Sequence, residues 1–497
     1  MSAIGSAGPE ARVTTGRLRG RTEDGVTVFR GVPYARPPVG GLRLAAPAPP
    51  EPWDGVREAA TFGPPPPQSR LLGASGGAAA DGDWLTLNVW SPDLGAAGLP
   101  VLVWIHGGGY MYGWSGDPVF DGRVLARDGV VVVTFNYRLS AEGFGHFAGA
   151  PANRGLLDQV AALRWVRENI AAFGGDPDRV TVFGESAGAG SIAALLAMPR
   201  AAGLFRGAIA QSVPGLFLSA ELAADIAAVL AGELGLPPFA AELARLSPER
   251  LLDAGDAVAD KMGGHPRWGT AAYVRTPFAP VVDGEVLPAL PWEAPARDVA
   301  LVVGHTRDEY RLFMAIQGDF GRITAERAAT ALRELAPDPG AYRAAHPGVG
   351  EERLYELVHS DWMFRMPSLR LAETHARHGR AHLYELTWPA PGMGGDALGA
   401  CHGPGVPLTF GNLTAGMATL LLGQEPPPVA AELSARVRAA WTAFAASGDP
   451  GWPAYEPGDR HTWVIDTEPG TKAYPEEISR RLWAGHAFAP LTSRARP

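Results

Sequence analysis

Between positions 101 and 183, short valine-rich runs alternate with an amphipathic segment, and this alternation constrains the fold most. Val101–Ile105, Val130–Phe135 and Val180–Phe183 are rich in β-branched residues, which predicts strands. Between the last two, apolar residues recur every three or four positions over Gly155–Phe173, which predicts a helix. Strand, helix and strand in this order predict a βαβ unit and a parallel sheet.

Similar runs before and after this unit extend the sheet. Leu85–Trp90 precedes it, and Ala208–Gln211, Ala300–Gly304 and His382–Thr387 follow it, all with the composition of strands. The long intervals between the later strands are alanine-rich, which indicates helices inserted above the sheet. Of the 497 residues, 46% are apolar and 19% are charged, which is the composition of a globular α/β protein.

Charge and cysteine content exclude several classes of protein. The net charge of −9 argues against nucleic acid as a partner, because phosphate binding needs a basic face. The single cysteine, Cys401, excludes an intrachain disulfide. The N-terminus has no signal-peptide pattern, and apolar runs such as Val130–Phe135 are too short to cross a bilayer. We therefore expect a cytoplasmic protein that does not bind membranes.

Gly184–Gly188 has the pattern G-x-S-x-G, with Ser186 at its centre. It directly follows the predicted strand Val180–Phe183 and opens an apolar segment, Ala187–Met198, that predicts a helix. A strand-to-helix turn of this kind is typical of the nucleophile elbow, where a strained turn exposes the serine hydroxyl above a sheet. The alternative is a glycine-rich turn without chemistry, which the position between strand and helix disfavours.

His106–Gly109 is a second glycine-rich segment, and it follows the predicted strand Val101–Ile105. Three consecutive glycines let backbone N–H groups turn toward one point, where an oxyanion can be stabilised. We expect donors from Gly108 and Gly109, together with the N–H of Ala187. A phosphate-binding loop is the alternative, but the Lys-Ser/Thr of a P-loop is missing.

A serine nucleophile needs a base and an acid, and the residues alone leave both open. Among twelve histidines, His402 stands out because it lies in a loop of small residues. Glu309 follows the predicted strand Ala300–Gly304 after a short polar loop, with Asp308 as the competing acid.

His375, His378 and His382 have helical spacing that could suggest a metal site. Their neighbours are basic, which favours a charged helix end instead. No metal and no organic cofactor is therefore expected.

Longer segments are similar to the type-B carboxylesterase family, the branch of the α/β-hydrolases that includes bacterial para-nitrobenzyl esterases and cholinesterases. The most specific is Asn153–Ser191. The others are Phe29–Gly40, Asp83–Trp90, His106–Gly109, Asn136–Leu139, Gly304–Phe313 and Gly399–Asn412. The resemblance implies one α/β-hydrolase domain over 1–497, with a large, mostly parallel central sheet and helices on both faces. It also implies mainly helical insertions at 213–298 and 314–380 that form a gorge over the active site.

The resemblance assigns the catalytic triad to Ser186, Glu309 and His402, and so prefers Glu309 to Asp308. It adds Ser212 as a supporting residue of the triad. Glu185, next to the nucleophile, is expected to support the triad from the floor of the gorge, and a surface carboxylate is the alternative. The implied activity is hydrolysis of small to medium, fairly hydrophobic carboxylic esters through an acyl-enzyme, by a monomer without cofactors. Activity is expected to fall as His402 becomes protonated, below about pH 6–7.

Departures from the family pattern remove none of these residues. Gly405 stands where the family usually has glutamate, and Val213 and Ser140 stand where it usually has glycine. The pair Asp83-Trp84 stands where the family often has Asp-Cys. An amidase, a carbamate hydrolase or an acyltransferase would use the same triad. A catalytically silent binding protein is the alternative from another class, and the presence of Ser186 argues against it.

Overall fold

A large mixed sheet organises the chain in the computed structural model, which describes residues 8–70, 82–293, 298–392 and 398–494. In these ranges the strands are β1 (Glu10–Val13), β2 (Gly16–Arg19), β3 (Arg21–Glu23), β4 (Val26–Pro33), β5 (Val56–Glu58), β6 (Thr86–Ser91), β7 (Leu99–Ile105), β8 (Val131–Phe135), β9 (Gly175–Glu185), β10 (Gly207–Gln211), β11 (Leu218–Ser219), β12 (Val281–Val282), β13 (Ala300–Thr306), β14 (Ala381–Leu386), β15 (His461–Ile465) and β16 (Gly470–Ala473).

The α-helices of the same ranges are α1 (Arg123–Arg127), α2 (Ser140–Phe144), α3 (Arg154–Asn169), α4 (Ala187–Ala197), α5 (Ala220–Glu233), α6 (Ala240–Leu243), α7 (Pro248–Lys261), α8 (Gly269–Val274), α9 (Arg311–Gln317), α10 (Ala325–Leu335), α11 (Pro339–Ala345), α12 (Glu351–Ser360), α13 (Met366–His375), α14 (Gly405–Phe410), α15 (Ala418–Leu422), α16 (Pro428–Ser447) and α17 (Glu477–Leu482). A π-helical turn, Asp361–Arg365, joins α12 to α13. None of the described helices combines the length and apolarity that a membrane span requires.

The main sheet has eleven strands in the order β16-β15-β14-β13-β10-β9-β7-β8-β6-β4-β3. Each adjacent pair from β15 to β8 in this order is parallel, which confirms the mostly parallel sheet that the sequence predicts. The predicted strand Leu85–Trp90 forms as β6 but pairs antiparallel with both β4 and β8. The strands before β6 are absent from the sequence prediction, since most of them are short and partly exposed and carry no continuous apolar run.

Side chains of β7 point alternately to two cores, because successive residues of a strand face opposite sides of the sheet. Val103 and Ile105 lie in one core, together with apolar residues of α3 and α4. Leu102 and Trp104 lie in the other, together with Trp441 of α16. Helices therefore cover both faces of the sheet, as predicted.

The central βαβ unit forms as predicted, with small shifts at its boundaries. Helix α3 runs over Arg154–Asn169 and continues as a 3-10 turn to Phe173, where Gly174 in a left-handed conformation (φ 83°) ends it. The helices α5 to α8 fall within 213–298 and α10 to α13 within 314–380. Their description as insertions over the active site remains a prediction, and residues 71–81 of the predicted loop Gly63–Asp83 lie outside the described ranges.

A buried ion pair ties the segment after β8 to α3. The Arg138 guanidinium contacts Asp158 with Nε–Oδ2 and Nη2–Oδ1 distances of 2.8 and 2.7 Å, and the backbone N–H of Arg138 also donates to Asp158. Both side chains are buried, with exposed fractions of 1% and 0%. Breaking such a pair leaves an uncompensated charge in the core.

We expect Asp158→Ala to lower the free energy of unfolding by about 3–5 kcal/mol, the usual cost of removing one partner of a buried pair. Denaturant unfolding of the purified variant measures this loss. Asp178→Ala is the matched control, since it removes an exposed partner of Arg167 and should change little. A loss as small as that of the control would show that Arg138 finds another partner.

Candidate active site

Ser186 lies in the strained turn between β9 and α4. Its backbone has φ 57° and ψ −124°, which a residue with a side chain rarely adopts, and the side chain is only half-buried. The turn depends on close packing: a Cβ on Gly188 would lie 2.0 Å from the carbonyl oxygen of Ile105. The strand–turn–helix arrangement predicted for the G-x-S-x-G motif is therefore present.

Gly108 and Gly109 provide backbone N–H groups beside this turn. Both have positive φ (109° and 59°), and both are more exposed than the strand that precedes them. Neither of their amide hydrogens, nor that of Ala187 at the first position of α4, has an acceptor in the part of the chain that the structure describes. Three free donors at the end of β7 and the start of α4 are what a developing oxyanion requires.

His402 and Glu309 meet although 93 residues separate them in the chain. The distance from His402 Nδ1 to Glu309 Oε2 is 2.5 Å, and Glu309 is fully buried. The other carboxylate oxygen accepts the N–H of Thr306 at 2.8 Å, and the hydroxyl of Ser212 also donates to Glu309. Burial alone would raise the pKa of Glu309, but the charge of His402 and these hydrogen bonds hold it below its ordinary value.

The competing acid, Asp308, points elsewhere. Its Oδ1 lies 2.6 Å from Nη1 of Arg353, and its Oδ2 accepts the backbone N–H of Ala400 at 3.0 Å. Of the two candidate acids, Glu309 is therefore the one whose carboxylate contacts the imidazole.

Glu185 places a second carboxylate against the same imidazole. Its side chain is buried, with Oε1 2.9 Å from His402 Nε2, so it is not a surface residue. Burial would lower the pKa of His402, but the charges of Glu185 and Glu309 outweigh it and raise this pKa to about 10. As the pH falls, His402 is therefore expected to become protonated, and to stop acting as a base, at a higher pH than the 6–7 expected of an ordinary histidine.

The Ser186 hydroxyl forms no hydrogen bond with the imidazole. His402 Nε2 is in ion-pair contact with Glu185, but among the residues that the structure describes it has no hydrogen-bond partner. Serine–histidine hydrogen bonds of unliganded enzymes are often long or poorly aligned and tighten when substrate binds. Glu185, immediately before Ser186 in the chain, contacts this nitrogen and brings the two segments together.

Two phenylalanines pack on His402, and the sequence analysis did not identify either. Phe364 stacks on the imidazole with a centroid distance of 4.4 Å, and Phe313 lies at 5.4 Å. Phe364 belongs to the π-helical turn Asp361–Arg365, and Phe313 to α9. A π turn changes which side chains face inward, so helical periodicity carries no signal for it.

Of the other residues that the sequence analysis considered, His375, His382 and Cys401 are buried, whereas His378 is exposed. His375 and His382 contact the backbone carbonyls of Val299 and Trp452, and burial lowers the pKa of each. The expectation of a charged helix end was therefore wrong for these two. Burial raises the pKa of the Cys401 thiol to about 12. No group of three or more potential ligands suited to a metal ion occurs among the described residues.

Comparisons with known proteins place this geometry in context. A model described as the carboxylesterase family matches residues 7–483. The para-nitrobenzyl esterase of Bacillus subtilis is 38% identical over 94% of this chain and 97% of its own length. The phenmedipham hydrolase of Pseudarthrobacter oxydans is 37% identical over 93% and 95%.

Solved structures agree with the sequence comparison. A structure of PNB esterase superposes with a TM-score of 0.83 at 36% identity, covering 95% of this chain and 99% of that one. A carboxylesterase of Geobacillus stearothermophilus also gives a TM-score of 0.83, at 35% identity and the same coverage. The similarity extends over nearly the whole of each chain, and it confirms the fold that the sequence predicts.

Proposed function

This chain belongs to the carboxylesterase family and is a serine carboxylic ester hydrolase, and from that premise we propose that Ser186 forms an acyl-enzyme with small to medium, hydrophobic esters. The observation that carries the proposal is the 2.5 Å contact between His402 and Glu309 beside the strained turn at Ser186. It supplies a base and an orienting acid next to an accessible hydroxyl.

In the proposed reaction, Ser186 Oγ attacks the ester carbonyl while His402 Nε2 accepts its proton. Glu309 accepts a hydrogen bond from Nδ1–H, which holds the required tautomer and stabilises the imidazolium. The N–H groups of Gly108, Gly109 and Ala187 stabilise the tetrahedral oxyanion. Two observations support these last two roles: Glu309 contacts Nδ1 of His402, and the three N–H groups have no acceptor among the described residues.

Collapse of the tetrahedral intermediate expels the alcohol, which takes the proton from His402. The same imidazole then removes a proton from water, and the resulting attack on the acyl-enzyme releases the carboxylic acid and restores Ser186. Glu185 adds a second negative charge against the imidazolium. The proposed cycle consumes one water and uses only these side chains and the three backbone N–H groups.

The surroundings of His402 support hydrophobic substrates. Phe313 and Phe364 place aromatic surface directly beside the imidazole. One relative is named for para-nitrobenzyl esters, so esters of aromatic alcohols are suitable first substrates. We propose that this aromatic surface packs against a hydrophobic part of the ester.

Two measurements test the proposal. A fluorophosphonate probe followed by peptide mass spectrometry should add one adduct, on Ser186. A panel of para-nitrobenzyl and para-nitrophenyl esters, the matching anilides and aryl carbamates should then show fastest turnover of the esters. Absence of an adduct would favour a silent binding protein. Faster turnover of anilides or carbamates would favour an amidase or a carbamate hydrolase. Acyl transfer to added alcohol in preference to water would favour an acyltransferase.

Glu185→Gln should move the pH dependence of kcat/KM. The variant removes one of the two charges that raise the pKa of His402, so the base stays neutral to a lower pH. We expect the acid limb of the profile to shift down by about one pH unit or more, the usual effect of a charge in contact. Glu242→Gln, in an exposed pair with Arg245, is the control. An unmoved acid limb would show that the Glu185 charge has no influence on the base.

A further inference from the structure

The residues on both sides of Glu309 are bound by α12. On one side, Asp308 Oδ1 lies 2.6 Å from Nη1 of Arg353. On the other side, the backbone N–H of Tyr310 donates to Oγ of Ser360 at 3.0 Å. The loop that carries the proposed acid is therefore attached to one helix at two points, one residue before Glu309 and one residue after it.

Glu356 joins these two attachment points into a ring. Its Oε1 accepts the Ser360 hydroxyl at 2.5 Å, and its Oε2 forms an ion pair with Arg353. Glu356 is buried, with an exposed fraction of 1%. Moving Ser360 or Arg353 away would leave a buried oxygen of Glu356 without a partner, which is costly. The ring therefore keeps Arg353 and Ser360 fixed relative to each other.

The second oxygen of Asp308 binds the loop that carries His402. Ala400 N–H donates to Asp308 Oδ2 at 3.0 Å, and Asp308 N–H donates back to the Ala400 carbonyl at 2.9 Å. Gly399 makes this approach possible: its φ is 56°, and a Cβ there would lie 2.6 Å from Asp308 Oδ2. One carboxylate therefore connects the acid loop, the histidine loop and α12.

We propose that Asp308, held by Arg353, is a positioning residue that sets the distance between Glu309 and His402. The inference rests on the proposed function, because it concerns how the proposed acid and base are held together. Asp308 acts only through its neighbours, since its carboxylate contacts neither the imidazole nor the serine turn in the bonds described above. Its two oxygens are already occupied by Arg353 and Ala400.

Asparagine cannot replace this carboxylate. Both partners of Asp308 are donors, and both oxygens of a carboxylate accept, whereas an amide has one oxygen and an NH₂ group. In Asp308→Asn, one N–H donor of Arg353 or Ala400 would face the NH₂ group, and one loop would move away. A displacement of about 1 Å in a catalytic constellation can cost 10²-fold in rate.

Asp308→Asn should lower kcat for a para-nitrobenzyl ester by about tenfold to a hundredfold, with KM changed far less. Thermal unfolding measured on the same preparation shows whether the assay temperature lies below the transition. Glu351→Gln is the matched control: it breaks the exposed pair with Arg343 at the start of the same helix and should leave kcat unchanged.

Arg353→Met separates positioning from simple electrostatics. His402 is faced by the charges of Glu309 and Glu185. Removing the positive charge of Arg353 by itself would raise the pKa of His402 and move the acid limb of kcat/KM upward. Loss of alignment between Glu309 and His402 lowers that pKa and moves the limb downward, which is the expected result. Arg353→Lys should recover part of the lost kcat, because it restores a donor to Asp308.

The inference is overturned if Asp308→Asn and Arg353→Met keep wild-type kcat and pH profile, whatever happens to their thermal unfolding. An upward shift of the acid limb in Arg353→Met would also overturn it. Failure of the proposed function looks different: Ser186 would take up no phosphonate, and Ser186→Ala would remain active.

Discussion

Ser186→Ala should lower kcat for ester hydrolysis by about 10⁶-fold, which is the cost of losing the nucleophile in a serine triad. In the proposed reaction the Ser186 hydroxyl is the group that becomes acylated. Cys401 adjoins His402 in the chain, but it is buried and its pKa is raised to about 12, so no thiolate is available near neutral pH. Steady-state turnover of a para-nitrobenzyl ester measures the loss.

The controls for this variant are direct. Ser447→Ala alters an exposed serine at the end of α16 and should keep full activity. Ser186→Ala should still hydrolyse the ester about 10³–10⁴-fold faster than the uncatalysed reaction in water, because the N–H donors of Gly108, Gly109 and Ala187 remain. Turnover at the wild-type level would place the nucleophile at another residue and end the proposal.

Glu309→Gln should lower kcat by about 10⁴-fold, as in triads whose acid is made neutral without a change of shape. The glutamine can present its NH₂ group to Nδ1, which favours the tautomer with the proton on Nε2 and removes the base from the serine side. It also removes a charge that stabilises the imidazolium. Steady-state kinetics over a range of pH measures the loss.

Asp308 provides the decisive comparison for this second variant. If Glu309 is the acid, then Glu309→Gln must cost far more than Asp308→Asn, whose expected loss is tenfold to a hundredfold. The reverse order would identify Asp308 as the acid. Glu468→Gln, on the exposed surface, reports any effect of simply losing a carboxylate.

Much of the sheet was predictable because its information is local. Val101–Ile105 is apolar at every position and Val130–Phe135 at every position but Thr134, as suits strands buried on both faces. They form as β7 and β8 with shifts of at most two residues. The early strands were not predicted, since partly exposed strands lack that signal.

The functional site also has a part that local sequence encodes and a part that it does not. The strained turn at Ser186 and the glycine loop at Gly108 and Gly109 are continuous motifs, so their residue types could be assigned from the chain alone. His402 and Glu309 could not, because residue pattern left several histidines and two acids open. The family resemblance, and not spacing, singled them out, and the structure shows their contact.

By itself the sequence determined the parallel sheet, the serine turn and the small residues around it, because strand and helix periods and close backbone approaches are encoded by neighbouring residues. Only the tertiary structure decided that Glu185 faces His402, that Phe364 stacks on the imidazole and that Asp308 turns away toward Arg353. These orientations depend on packing between segments far apart in the chain, and packing of that kind leaves no local pattern to read.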